Sequence, residues 1–253
     1  MARLRLLTFD ITNTILRVKG SPGQEYARAA WLRGIEISSQ DLDRVYRPTW
    51  KNLRREMPLY GHNQGMTTWD WWRRFVHTVF LNAGYQGPNS HLDDVCETLW
   101  QRFDEGFNWD VLPHSRQVLT HLRTQGLKLG VISNFDERLE KTLKTHNLKK
   151  YFDFIVSSVT SNVEKPDPRI FAHALQIAGC RPEESGHIGD DVDHDYRAAR
   201  DFGMRPFLID PKAEVLSNLH SDLYKDVREK DIVTDMCQLV DLVLQPEAHA
   251  GDK

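Results

Sequence analysis

Cysteine is scarce. Cys96, Cys180 and Cys237 are the only three in 253 residues. The count is odd, the spacings are long and no Cys-x-x-Cys occurs, so neither a disulfide framework nor a zinc site is indicated, and a reducing compartment fits. Long apolar runs are missing as well. Nothing approaches the roughly 20 apolar residues of a membrane span, so no membrane partner is expected. The amino-terminal apolar run is too short for a signal peptide and is interrupted by Asp10, which leaves the cytoplasm as the default location. There is no excess of positive charge. Lys and Arg number 33 against 36 Asp and Glu, a formal net charge of -3, so a general nucleic-acid binder is not expected. Internal repeats and low-complexity tracts are absent too. What remains, 40% hydrophobic and 27% charged residues, is the balance of an ordinary globular protein, long enough for one large domain or two smaller ones.

Tryptophan is absent from both ends of the chain. All seven lie between Trp31 and Trp109, and the pattern from about Ser21 onward is helical. This compositional boundary marks a separate helical domain over residues 18–109. Ser21-Pro22 opens a helix that stops near Gly34. Ser38 or Ser39 opens a second running to about Met57, and a loop covers 58–66. Thr67, with Asp70 as capping-box partner, starts a third. A fourth spans roughly His91 to Phe107. The Trp69-Asp70-Trp71-Trp72 cluster suits a ligand pocket or simple helix packing. Packing is preferred, because aromatic stripes at helical spacing are usually core.

Outside that block the rhythm is strand, helix, strand. Leu4 to Phe9 is a short apolar strand ending at Asp10. Leu127 to Ile132, Phe154 to Ser157, Gly186 to Ile188 and Pro206 to Ile209 are further strands. The helices between them run from His114 to Gln125, from Asp136 to about Thr145, from Asp167-Pro168 to Gly179, and from Asp193 to Phe202. Thr234 to Leu244 is a last helix, and the tail from Glu247 reads as disordered. Such alternation implies an α/β fold, a Rossmann-like doubly wound parallel sheet with right-handed crossovers. Residues 1–17 and 110–253 form this core, and the α-helical domain is an insertion after strand one.

Polar groups gather where these strands end, the position at which open α/β sheets place their chemistry. They are Asp10, Ser133, Lys165 and the acidic run Asp190-Asp191 with Asp193 and Asp195. Each alone has a plain structural reading: a strand terminus, a solvated lysine, a helix cap. Together they suit phosphoryl chemistry. A carboxylate can attack phosphorus, further carboxylates can hold a hard cation such as magnesium, and a hydroxyl and an ammonium can neutralise the transferring oxygens.

Four islands carry a resemblance. They are Phe9-Asp10-Ile11-Thr12-Asn13-Thr14-Ile15-Leu16, Val131-Ile132-Ser133-Asn134-Phe135-Asp136, Glu164-Lys165-Pro166-Asp167-Pro168-Arg169-Ile170-Phe171, and His187-Ile188-Gly189-Asp190-Asp191 with Asp195 beyond. In this order and strand context the chain resembles the haloacid dehalogenase-superfamily hydrolases with a helical cap after the first strand. The resemblance implies Asp10 as nucleophile and metal ligand, and Mg2+ as cofactor. The Thr12 carbonyl and Asp190 become further ligands, with Asp195 or Asp191 in support. Ser133 and Asn134 bind the transferring group of a small phosphorylated substrate, and Lys165 orients Asp10.

One group of that pattern is missing. Phosphatases of the superfamily usually carry a second Asp two residues after the nucleophile, and here that residue is Thr12. Its hydroxyl titrates far too high for general acid or base work near neutrality, a loss typically of about two to four orders of magnitude in rate. His187, Asp191 and His194 are nearby stand-ins. Three readings follow: a metal-dependent phosphatase weakened at Thr12, a catalytically impaired relative with a binding or regulatory role, and, less favoured, a dehalogenase, which needs no metal and would not call for Gly189-Asp190-Asp191.

Overall fold

The computed structural model describes residues 3–244. In chain order its regular elements are β1 (Leu6–Phe9), β2 (Leu16–Val18), α1 (Pro22–Trp31), α2 (Ser39–Glu56), α3 (Thr68–Asn82), α4 (Asn89–Asp104), β3 (Trp109–Val111), α5 (Ser115–Thr124), β4 (Lys128–Ser133) and α6 (Leu139–Thr145). There follow β5 (Phe154–Ser157), α7 (Ser158–Ser161), α8 (Pro168–Ala178), β6 (Ser185–Gly189), α9 (Ala198–Asp201), β7 (Arg205–Ile209), β8 (Ile232–Val233) and α10 (Gln238–Leu244). Short 3₁₀ turns connect several of them. The chain divides into two compact units. One comprises the residues through Arg17, Val111–Phe135 and those from Asn147 on; the other comprises Val18–Asp110 and Asp136–His146.

The first unit is a six-stranded sheet in the order β5-β4-β1-β6-β7-β8, with every pairing parallel. All four residues of β1 are buried. A strand covered on both faces needs such an unbroken run rather than alternation. From β1 the chain builds outward through β4 to β5, then returns to the other side of β1 for β6, β7 and β8. Strand order therefore reverses beside β1, and the carboxyl ends there border the crevice where α/β sheets bind ligands. On one side Leu6, Ile132 and Val156 pack with Ile170, Phe171 and Ala174 of α8 and Ala199 of α9. Asp167 caps α8, its carboxylate accepting from Arg169 N, and Gly179 ends the helix at φ 61°. The short β8, absent from the sequence reading, extends the sheet by one strand.

In the second unit α1, α2, α3 and α4 pack each on the next, and α1 on α4. Thr67 and Asp70 form the expected reciprocal capping box of α3. The tryptophans of the 69–72 cluster pack against other rings, whereas Trp31 is exposed. Trp71 is fully buried, stands edge-on to Trp50 at 5.0 Å, and donates from Nε1 to the Met57 carbonyl at 3.1 Å.

Several boundaries differ from expectation. Residues 136–146, assigned to the core by sequence, belong to the helical unit. Buried Asp136 does not cap a helix that starts beside it; α6 begins at Leu139. Its carboxylate instead accepts from Trp72 Nε1 at 3.0 Å and Arg138 Nη2 at 2.5 Å, and the Arg138 guanidinium lies 3.7 Å from the Trp100 ring centre. Residues 59–64 form a 3₁₀ turn rather than plain loop. The helix cap near residue 193 is Asp191, not Asp193. The last helix starts at Gln238, because the Gln238 side chain accepts from Thr234 N at 2.8 Å and holds that stretch in a turn. The tail from Glu247 lies outside the described residues.

Candidate active site

The crevice beside β1 collects its polar groups from four strand ends within the sheet unit. Asp10 follows β1 directly, and its backbone N–H donates to the Ile188 carbonyl at 2.8 Å, which continues the β1–β6 pairing. Ser133 closes β4, and its hydroxyl favours the charged form of the Asp10 carboxylate. Lys165 is buried to 2% exposure. Its Nζ donates to Asp10 Oδ1 at 2.8 Å, to the Ile132 carbonyl at 2.9 Å and to Asp195 Oδ1 at 2.5 Å. Three acceptors satisfy the three ammonium donors. The loop that delivers Lys165 is clamped by Asn134, whose Nδ2 donates to the Lys165 carbonyl at 2.9 Å and whose Oδ1 accepts from Lys165 N at 2.8 Å.

Asp190 follows β6. Asn13, in the left-handed region at φ 58°, donates from Nδ2 to Asp190 Oδ2 at 3.0 Å. Asp195 arrives by a widened turn, in which Tyr196 N reaches back five residues to the Asp191 carbonyl at 3.2 Å. Such π turns often mark functional sites. Gly189 makes room: a Cβ there would lie 2.1 Å from Asp195 Cγ and Oδ2. Behind Asp195 stands His187, fully buried, with Nε2 at 3.0 Å from Asp195 Oδ1 and Nδ1 at 2.9 Å from Thr8 Oγ1.

The charges do not balance. Oxygens of Asp10, Asp190 and Asp195 all lie within 4.8 Å of one another, and Lys165 is the ammonium among them. Burial alone would lower the Lys165 pKa, but the two aspartates outweigh it and keep the ammonium charged. Asp10 and Asp195 share that one cation and titrate as a pair. Burial raises Asp10 against the pull of Lys165. Asp195 resists the same burial through Lys165 and His187 and is held well below the ordinary range. Burial, then the charges of Asp10 and Asp195, push Asp190 up to about 8. Burial pushes His187 down, towards its neutral form. An all-oxygen pocket with surplus negative charge is the donor set a hard divalent cation prefers, so the residues present fit Mg2+.

The expected residues separate by role. Asp10, Ser133, Lys165, Asp190 and Asp195 come together. Asn134, expected on the substrate, has both ends of its amide on the Lys165 backbone. Asp195, expected as a metal ligand, has Oδ1 on Lys165 and His187 and Oδ2 on Asp191 N at 3.1 Å, and it stays grouped with Asp10 and Asp190 around the same pocket. Thr12 lies in the turn closed by Leu16 N to the Ile11 carbonyl at 2.9 Å and is partly exposed. The three stand-ins for the missing acid are otherwise occupied. His187 is enclosed between Thr8 and Asp195. His194 Nδ1 meets Asp191 Oδ1 at 2.9 Å. Asp191 is lowered to about 2, since the hydrogen bonds from His194 overcome the effect of burial, so it carries no proton to donate near neutrality. Asn13 and Thr8 had no role in the sequence reading. Asn in a tight turn after a strand, a residue tolerant of the left-handed region, was the available signal for the first; nothing flagged the second.

Comparison with known proteins agrees with this geometry. Over 207 residues the chain is 38% identical to haloacid dehalogenase-like hydrolase domain-containing protein 3 of Bos taurus, covering 82% of each chain. Among solved structures, the HAD-hydrolase YfnB of Bacillus subtilis, bound to magnesium, superposes with a TM-score of 0.72 at 18% identity, over 96% of this chain and 99% of that one. L-2-haloacid dehalogenase of Xanthobacter autotrophicus does so with a TM-score of 0.66 at 19% identity, over 95% and 98%. Residues 4–203 match the family model described as haloacid dehalogenase-like hydrolase. With all four strand-end islands meeting around Asp10 inside that span, the chain belongs to the haloacid dehalogenase-like hydrolases.

Proposed function

We propose that this hydrolase is a phosphatase-type enzyme that uses Mg2+ and forms an aspartyl-phosphate on Asp10, acting on a small phosphorylated molecule. One observation carries the reading: three carboxylates converge on a single buried ammonium, an excess of negative charge that calls for a divalent cation. Asp10 and Asp190, with the Thr12 carbonyl, would hold the ion. When bound, it offsets the negative charge of the phosphoryl group and of the attacking carboxylate.

The remaining work falls to the chain itself. Lys165 fixes Asp10 through Oδ1 and sets the direction in which Oδ2 faces. The Asp10 oxygen attacks phosphorus, and the bond to the leaving oxygen breaks. Ser133 offers a hydroxyl at the transferring group. Asn13 aims Asp190, and His187 holds Asp195 against Lys165. Water must then cleave the acyl phosphate, breaking the bond between phosphorus and the Asp10 oxygen; the Thr12 hydroxyl cannot take its proton, which passes to the released phosphate or to solvent.

Such an enzyme favours leaving groups that depart without a proton. Hydrolysis of an aryl phosphate with a low-pKa phenol should be Mg2+-dependent and well ahead of an alkyl phosphate. Equal rates on the two would show a working general acid and overturn the role given to Thr12. The specific observation behind a second reading, a binding or regulatory protein on the same fold, is Thr12 itself; it gains ground if the aryl phosphate is not turned over at all.

A further inference from the structure

Away from the crevice, three metal-binding side chains meet on the surface of the sheet unit. They are His114 at the start of α5 and Asp235 and Cys237 just before α10. Their donor atoms lie within 4.8 Å of one another and all three residues are exposed. From these positions we propose a second metal site, for Zn2+ or a similar borderline cation, with one nitrogen, one oxygen and one sulfur ligand and an open fourth position.

The orientation of the donors supports it. His114 Nδ1 lies 3.2 Å from Gln117 Oε1. An amide oxygen only accepts, so Nδ1 carries the hydrogen and Nε2 presents a lone pair. That lone pair faces Asp235 Oδ2 at 3.9 Å, too long for a hydrogen bond. A tetrahedral zinc with bonds of about 2.0–2.1 Å sets two such ligands roughly 3.3 Å apart, so the two side chains would draw together by about half an ångström on the ion. Asp235 is anchored by its other oxygen, since Oδ1 accepts from Cys237 N at 2.7 Å. Each of these two ligands thus has its far end tied down, as second-sphere partners do in built metal sites. The exposed Cys237 Sγ lies within 4.8 Å of the His114 and Asp235 donor atoms; on metal binding it gives up its proton and the thiolate becomes the third ligand. Mixed N/O/S donors suit zinc and reject magnesium, so this site and the aspartate crevice would take different ions. An ion here would join the start of α5 to the turn before α10, two helices that pack together.

Cobalt(II) titration of the full chain, stripped of metal and kept in excess Mg2+, tests the proposal. The expected result is one equivalent bound with a thiolate-to-cobalt charge-transfer band, displaced by Zn2+. The band should vanish in Cys237→Ser and in His114→Gln. In Gln117→Ala it should persist with affinity about ten-fold weaker. Asp10→Asn should leave it unchanged. All of these but Asp10→Asn are surface changes, and circular dichroism confirms that each variant is folded. The absence of a charge-transfer band in the wild type, or a band that survives Cys237→Ser and so belongs to Cys96 or Cys180, would overturn the site.

Discussion

At the scale of single residues, Thr12 and Asp190 decide how the site behaves. Thr12 stands where the family's phosphatases usually keep an acid, and the nearby alternatives are locked: His187 between Thr8 and Asp195, Asp191 ionised with its pKa at about 2. Thr12→Asp should therefore raise turnover of an alkyl phosphate by about two to four orders of magnitude. An unchanged rate would mean that another group already shuttles the proton. Asp190 gives a pH dependence. Its carboxyl is raised to about 8 without a cation, so below that pH metal binding must displace a proton. Affinity for Mg2+, measured by calorimetry, should increase with pH up to about 8 and level off above it, with proton release on the lower side. Asp10 and Ser133 were legible in the sequence because each closes an apolar strand, and Lys165, in the loop beyond β5, only because its motif stands in order with theirs. The hydrogen-bond partners of Asn134 and Asp195 were not, since which oxygen meets which donor depends on loops that spacing does not describe.

At the scale of elements, the site rests on close backbone approach. Gly189 ends β6 where a Cβ would overlap the Asp195 carboxyl. Gly189→Ala should push Asp195 off Lys165 and His187. Breaking one partner of a buried ion pair costs about 3–5 kcal/mol. Mg2+ affinity should fall together with the thermal midpoint. A variant with wild-type stability and metal binding would show that Asp195 has slack the geometry does not suggest. The strands and the long helices with clear caps, such as α3 and α8, were readable because their signals are local. Two misplaced starts, at Asp136 and Thr234, share one cause: a side chain with stronger distant or turn-forming partners overrode the local cap signal. For Asp136 those partners are Trp72 and Arg138; for Thr234 it is Gln238. The widened turn before α9 moved the cap from Asp193 to Asp191 in the same way.

At the scale of the whole molecule, the tryptophan boundary located the inserted helical block but not its full membership. Residues 136–146 join it through contacts remote in sequence: Thr68 Oγ1 to Glu137 Oε2 at 2.7 Å, Trp72 to Asp136, and the Lys141–Asp104 ion pair. Replacing residues 18–110 with a short linker should strip those partners and make 136–146 the first target of limited proteolysis. Resistance equal to that of the full chain would contradict this grouping. Among the described residues no helix is long and apolar enough to cross a membrane. The pairing of His114 with Asp235 and Cys237 shows the reach of tertiary structure most plainly. The cysteine spacing gave no sign of zinc, because His114 is far from Asp235 and Cys237 in the chain and only the packing of α5 on α10 brings them together.

The central claim is that Asp10 is a working nucleophile in a magnesium-dependent site. Hydrolysis of an activated aryl phosphate, with and without Mg2+ and beside Asp10→Asn, tests it most directly. Turnover should need the metal and disappear in Asp10→Asn while that variant stays folded. Equal activity in Asp10→Asn, or none in the wild type with Mg2+ bound, would contradict it.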